Sequence, residues 1–352
     1  MYIFLPDSNL SVGATQVVEV INTAFQVYSK STGASLLGPK QISSIFVGVP
    51  GLCGQGPKSP NYSDPIVLYD KKAGRWFVAI IAANSSFSTG NECIAVSSTS
   101  DATGSYHRYA FSFGTNVFND YDKLGVWPDA YYGSYNLFSP SKFLGVKACA
   151  YQCSAMLAGA TAKAICFMTN TNEFTLLPSD LDGATLPPAG EANFFVDLFS
   201  TGALHLFRFH VDFTTPTNSK FTGPITIAVT PFVQACAATG TCIPQPGTSD
   251  QLDSLGDRLM FRLAYRNFGT HESPSGQPCR KNQCGSIRSA LVRDPQSQCN
   301  ASRISAGHLN QWSHLPLDGE HHHGQGGGHG PWIQQIQQHD SPHGRVHRQG
   351  AE

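Results

Sequence analysis

Phenylalanine and tyrosine are missing from the last part of the chain. All 22 Phe lie at or before Phe268, and the last Tyr is Tyr265. The 79 residues Pro274–Glu352 carry 9 of the 13 His and 11 Gln, with Trp312 and Trp332 as their only other aromatics. Large apolar side chains are the material of a core, so this stretch does not continue the domain before it. Charge is scarce too: 13% of residues are charged and the formal net charge is −1. That excludes the basic stripe on which nucleic-acid binding depends. No apolar run reaches the roughly 18 residues of a membrane-spanning helix, and MYIFLPDSNL lacks the basic start and the long apolar stretch of a signal peptide. Catalytic signatures are lacking as well. The sequence has no GxSxG, no HExxH, no P-loop and no dinucleotide fingerprint. CAYQC (Cys149 to Cys153) has no second ligand pair nearby, so no zinc site is read from it.

What is present in residues 1–273 is low charge, seven Cys, and abundant Gly, Ser, Thr and Asn, the composition of an extracellular β protein. Cys236 and Cys242 flank the short loop AATGT, and Cys149 and Cys166 bracket a short segment. Both pairs are disulfide candidates, and because seven is odd one Cys, such as Cys153, would be left over, although spacing alone does not fix connectivity.

The same residues read as strands, with β-branched and aromatic runs parted by Gly, Pro, Asn and Asp. An Asp or Asn opens several of these runs: Asp7, Asp64, Asp129, Asn193 and Asp257, at spacings of 57, 65, 64 and 64. AFQVYSKSTGASLLG and PIVLYDKKAGRWFVAI each place a Lys-containing turn with Gly between two strands, the pattern of a hairpin in which Gly supplies positive φ. Units too small to bury their own faces stack radially, which predicts an all-β, β-propeller-like fold of about six blades of about 60 residues. A pair of β-sandwiches is the alternative. Should the marked runs be innermost strands, Asp7, Asp64, Asp129, Asn193 and Asp257 form a ring of oxygens at one channel mouth. Such a ring suits Ca²⁺, a cationic ligand or a polyhydroxylated one; the plainer role for each is to satisfy backbone N–H groups at a turn.

GVWPDAYYGSYNLF (Gly125–Phe138), CIAVSSTSDATGSYHRYAFSF (Cys93–Phe113) and IPQPGTSDQLDSLGDRLMFRLAYRNFGTHES (Ile243–Ser273) resemble a family of large secreted bacterial proteins of unassigned activity, which look like β-propellers. The resemblance runs from about Pro6 to Ser273. It implies an extracellular location and a propeller domain over residues 1–273, truncated at its N-terminus and lacking a complete final blade. Members of the family continue past the equivalent of HES with a VRWYEIR strand and a closing GYS segment, which this chain lacks. A one-base shift of frame rereads Ser289–Pro295 as ARWYEIR and His321–Pro342 as a segment containing GYS. Residues 274–352 therefore read as an out-of-frame, disordered tail, and the four histidines of EHHHGQGGGHG (Glu320–Gly330) as an accident of frame rather than a metal site.

Two classes of function follow. One is a non-catalytic extracellular binding or surface protein that takes a glycan or a cation at the mouth. The other is a glycan-cleaving hydrolase, with paired carboxylates drawn from Asp64, Asp129, Asp257 and Glu272. A frameshifted product without function is a third outcome. Trp127, Tyr131 and Tyr132 flank Asp129 and are candidate sugar-stacking residues, though such aromatics also pack between blades. As one strand, DRLMFRLAYR would put Arg258, Arg262 and Arg266 on one face, beside Asp257, His271 and Glu272, where they could clamp an anionic sugar; the plainer role is a solvated face.

Overall fold

In the stretch RWFVAIIAA (Arg75–Ala83), side chains of even number point one way and those of odd number the other, as strand geometry requires. Trp76, Val78, Ile80 and Ala82 enter one hydrophobic cluster, while Phe77 and Ala79 enter the next. A strand buried on both faces has a sheet on each side of it. The computed structural model describes residues 7–56, 61–236 and 240–267, together with the backbone of two short strands, Gly285–Ile287 and Val292–Arg293.

Four successive antiparallel meanders of four strands make up most of this chain. The first sheet holds β1 (Asn9–Val12), β2 (Gln16–Ile21), β3 (Ala24–Ser29) and β4 (Ser35–Gln41). The second holds β5 (Asn61–Asp70), β6 (Arg75–Ala83), β7 (Gly90–Ser97) and β8 (Tyr106–Ser112). The third holds β9 (Phe118–Val126), β10 (Tyr131–Ser139), β11 (Lys142–Tyr151) and β12 (Ala164–Met168). The fourth holds β13 (Leu177–Asp182), β14 (Asn193–Ser200), β15 (Ala203–His210) and β16 (Lys220–Ala228). A hairpin, β17 (Thr241–Pro244) with β18 (Gln251–Asp253), stands apart. β19 (Leu263–Asn267) then joins the fourth sheet by pairing parallel to β13, and Gly285–Ile287 pairs antiparallel to β19.

β5 packs against β1, β9 against β5, and β13 against β9. The first strand of each meander is thus the innermost, and the architecture is all-β and propeller-like rather than a pair of sandwiches. Three hydrophobic clusters fill the gaps between consecutive sheets. Val18, Val20 and Val27 meet Trp76 and Ile80; Phe77 and Ile94 meet Tyr131 and Tyr135; Tyr132 and Val146 meet Phe195, Leu206 and Phe209. Among the described residues there are four complete blades; the reading of residues 274–352 as an out-of-frame tail falls outside the described residues, apart from the two short strands.

The repeat read from sequence is shifted in two blades. Asp7 and Asp64 do lie on the approach to, or within, innermost strands, but Asp129 and Asn193 introduce the second strands β10 and β14. The true inner strands there, FNDYDKLGV and LPSDLD, carry too many polar residues to stand out beside YYGSYNLFS and NFFVDLFS. Both Lys-containing turns are hairpins, with Gly33 at φ 71° and Gly74 at φ 63°. They join different strand pairs of their blades, however, so their likeness reflects turn chemistry and not the repeat.

Both anticipated disulfides are present. Cys149 and Cys166 are directly paired across β11 and β12, and Cys236 is joined to Cys242. A third, Cys53–Cys93, ties the 3-10 turn Gly51–Gly54 to β7, and Cys153 is free.

Candidate functional site

The innermost strands run parallel to one another, so their starting ends share one mouth and their finishing ends the other. At the starting mouth two β-bulges lie at matching positions. In β5, Asp64 and Pro65 together stand opposite Ile80; in β9, Tyr121 and Asp122 stand opposite Tyr135. Bulges re-aim side chains out of the ladder. Asp7, Asp64 and Tyr121 all hold positive φ, at 42°, 55° and 54°, a conformation that costs a non-glycine residue about 1–3 kcal/mol and collects at functional sites.

Asn22 fastens two of these residues together. Its Nδ2 donates to Asp7 Oδ2 at 2.6 Å, and its Oδ1 accepts from the Asp64 backbone N–H at 2.8 Å. Asp64 and Asp120 are half-buried and Asp7 is exposed. Burial pushes the Asp64 carboxyl up to about 6; the Asp120 and Asp7 charges add to this and Lys123 opposes it. Burial likewise raises Asp120, against Lys123 and Arg258. The Lys123 Nζ donates to the Asp122 carbonyl oxygen at 2.6 Å and lies 3.7 Å from the Tyr121 ring centroid. Arg258 stacks over Tyr121 and Phe174 at 4.9 and 5.0 Å, and its guanidinium grips Asp257 with two hydrogen bonds of 2.7 and 3.0 Å.

Behind this mouth lies a second, fully buried acidic layer. Glu92 and Asp122 are both 0% exposed. Burial first, then the neighbouring carboxylates, hold both carboxyls well above the usual range. The Asp122 charge adds to the burial that disfavours ionised Glu92, and Glu92 Oε1 and both Asp122 carboxyl oxygens are buried without a hydrogen-bond partner. Asn119 donates to Glu92 at 3.3 Å, and the Tyr135 and Tyr151 hydroxyls meet at 2.7 Å beside them.

The opposite mouth is chemically closed. Asp180 is raised by burial but is paired with Arg262 and accepts the Val126 N–H at 2.8 Å. Asp182, despite partial burial, is lowered by Arg266 and Arg262. Arg258, Arg262 and Arg266 are therefore not one strand face. Only Arg266 lies in β19, because the strand starts at Leu263, and each arginine is engaged by an acid of this chain.

The proposed ring is thus divided. Asp7, Asp64 and the Asp257–Arg258 pair belong to the starting mouth. Asp129 lies toward the finishing ends and accepts from the Tyr132 hydroxyl at 3.2 Å. Asn193 is fully buried, and its side-chain amide brackets the Ser179 backbone with bonds of 3.1 and 2.9 Å. The five-oxygen cradle imagined for Ca²⁺ is not assembled, and the Lys123 ammonium stands among the carboxylates that do meet. Trp127 is 2% exposed, packs edge-on against Tyr265 and Phe194, and donates to the Glu191 carbonyl at 3.0 Å. Tyr131 is 1% exposed and donates to Asp70 at 3.0 Å. Neither ring offers a face to a sugar. His271 and Glu272 lie outside the described residues. The residues that sequence reasoning missed are Glu92, Asp120, Asp122 and Lys123; the DYDK run within FNDYDKLGV was the signal for three of them.

No family model matches the chain, and no curated protein matches it. Among solved structures, it is similar to an exo-β-1,3-galactanase from Phanerochaete chrysosporium in complex with β-1,3-galactotriose, at 12% identity and TM-score 0.34, over 63% of this chain and 50% of that one. It is similar to an endo-arabinanase from Bacillus licheniformis at 12% identity and TM-score 0.31, over 64% of this chain and 93% of that one. An α-L-arabinofuranosidase from Lactobacillus brevis matches at 12% identity and TM-score 0.35, over 62% and 72%. The chain spans about half the length of the galactanase. No site residue and no activity is carried over from these likenesses.

Proposed function

We propose that the starting mouth is an acid–base site acting on an extracellular glycan, with Asp64 as general acid and Asp7 or Asp120 as its carboxylate partner. The observation that carries this reading is Asp64 itself. It is a half-buried carboxyl pushed up to about 6, fixed on strained backbone at a bulge, with two further carboxylates close enough to raise it. Hydrolysis of a glycosidic bond needs one carboxyl that keeps its proton near working pH and a second that is ionised. Asp64 would protonate the departing oxygen. Its partner would activate water or stabilise the cationic sugar ring. Lys123 and Arg258 limit the charge that three acids would otherwise accumulate. Three disulfides fit an oxidising, extracellular setting, and no helix among the described residues is long and apolar enough to cross a membrane.

The test uses the full chain with a panel of plant and microbial polysaccharides and aryl glycosides. Turnover should fall as pH rises through about 6, the window set by Asp64. Asp64→Asn should lose at least about 100-fold in rate while still binding, the usual size of an acid–base contribution. Binding that requires Asp7 and Asp120, with no turnover of any substrate, would make the mouth a binding module. Neither binding nor turnover across the panel would refute a glycan site.

A further inference from the structure

Glu173, Asp197 and His205 lie in the fourth blade, outside the mouth. The fold brings them together by three separate local rules. Asp197 on β14 and His205 on β15 are directly opposed in the ladder, so their side chains leave the same face. The register slips between Asp197 and Ser200. Glu173 comes from the segment entering β13, where Thr175 holds φ 59°. Asn136 of the third sheet pins that segment by two bonds of 3.0 Å, its Nδ2 donating to Thr175 Oγ1 and its Oδ1 accepting from the Thr175 backbone N–H.

All three side chains are buried, at 2%, 1% and 6% exposure. One ligand atom from each lies within 4.8 Å of the others, and His205 Nδ1 is 2.9 Å from Glu173 Oε2. The Oδ1 of Asp197 is buried with no hydrogen-bond partner. The Phe199 ring stacks on His205 at 3.8 Å between centroids and covers the cluster from outside. Two carboxylates and an imidazole thus share one dry space, with one carboxylate oxygen left without a partner, an arrangement that costs free energy unless something binds there.

We propose that Glu173, Asp197 and His205 form a structural site for a first-row divalent cation. The chemistry of the donors selects the ion. One imidazole nitrogen with two carboxylate oxygens suits Zn²⁺ or Mn²⁺, whereas Ca²⁺ takes six to eight oxygens. Donors each about 2.1 Å from one tetrahedral ion lie about 3.4 Å from each other, so His205 Nδ1 and Glu173 Oε2, now 2.9 Å apart in a hydrogen bond, open by about half an ångström to admit it. Asp197 needs a small side-chain rotation to close the set. On binding, Asp197 Oδ1 gains its missing partner. Because Glu173 is held by the third sheet and the other two ligands by the fourth, the ion would staple two blades together.

The experiment compares the chelator-stripped full chain with Asp197→Asn and with a tail variant, His321→Ala/His322→Ala/His323→Ala, because a run of histidines can bind added metal without forming a built site. Zn²⁺ is added and excess removed by dialysis; bound metal and melting temperature are then measured. The tail variant should retain one equivalent and the wild type at least one, and both should melt higher with Zn²⁺ than without. Asp197→Asn should bind at least about 100-fold more weakly, a ligand's loss exceeding the 10–100-fold typical of an outer-shell partner, and its melting temperature should not respond. Retention that follows the tail histidines, or a wild type whose melting ignores Zn²⁺, would overturn the proposal. A measurement free of variants runs in parallel: Mn²⁺ should broaden the NMR ring signals of Phe199 at substoichiometric metal. Broadening that spares Phe199 would count against the site.

Discussion

Both mouths of this propeller-like domain carry buried or half-buried acids, and they differ in the cations that meet them. At the finishing ends of the inner strands, Asp180 and Asp182 meet Arg262 and Arg266, and Asp182 is lowered accordingly. At the starting ends, Asp64, Asp120, Asp122 and Glu92 are all raised, with Lys123 as the cation they share. An acid that is buried and paired serves the fold. An acid that is buried and left short of partners costs stability, and several of them gathered at one mouth make that mouth the candidate site.

The contrast can be broken most severely at Arg262. Arg262→Ala leaves Asp180 buried without its cation and should destabilise the domain by about 3 kcal/mol, the low end for breaking a buried pair because the arginine is partly exposed. Thermal or urea unfolding measures it. At the other mouth, removing an acid should help. The folded pKa of Asp64, about 6, is above its ordinary 3.8, so the folded state holds the proton more tightly. This carboxyl therefore contributes nothing adverse below about pH 4, and stability drains away as pH rises from there through about 6. Asp64→Asn should abolish that loss and gain about 1–2 kcal/mol at pH 7, discounted for solvent access. A variant that is less stable than wild type at pH 7 would show that Asp64 is a structural acid after all.

Smaller effects sharpen the same picture. Arg258 lies between Tyr121 and Phe174, and Arg258→Ala should cost about 1 kcal/mol, mostly in lost stacking, and raise Asp120 further. The pH dependence of an Asp120 carboxyl NMR signal checks the direction. Lys71 approaches Asp182 at 3.7 Å but is 58% exposed, so Lys71→Ala should change stability by less than about 0.5 kcal/mol. A larger effect would mean that the finishing mouth is more tightly closed than its geometry implies.

Much of the architecture was legible from composition and turns. Gly33 and Gly74 announced hairpins, Cys149 with Cys166 and Cys236 with Cys242 announced their bonds, and short β-rich runs announced stacked meanders. The third disulfide was not legible, because Cys53 and Cys93 lie far apart in sequence and spacing carries no information at that range. The site was half legible. Asp7 and Asp64 were picked out by position, whereas Asp129 and Asn193 were picked out by the hydrophobic runs behind them and belong to second strands. Glu92 gave no warning, since a lone acid inside GNECIAVS reads as an outward-facing residue until a neighbouring blade covers it.

The sequence by itself determined the strand-and-turn grammar and the interior-facing pattern, because both depend on side-chain periodicity and on local φ preferences. Only the tertiary structure decided which acids share a mouth, which are neutralised by arginine, and that Glu173, Asp197 and His205 converge. Those pairings join residues tens of positions apart, and their energies depend on burial that no single strand supplies.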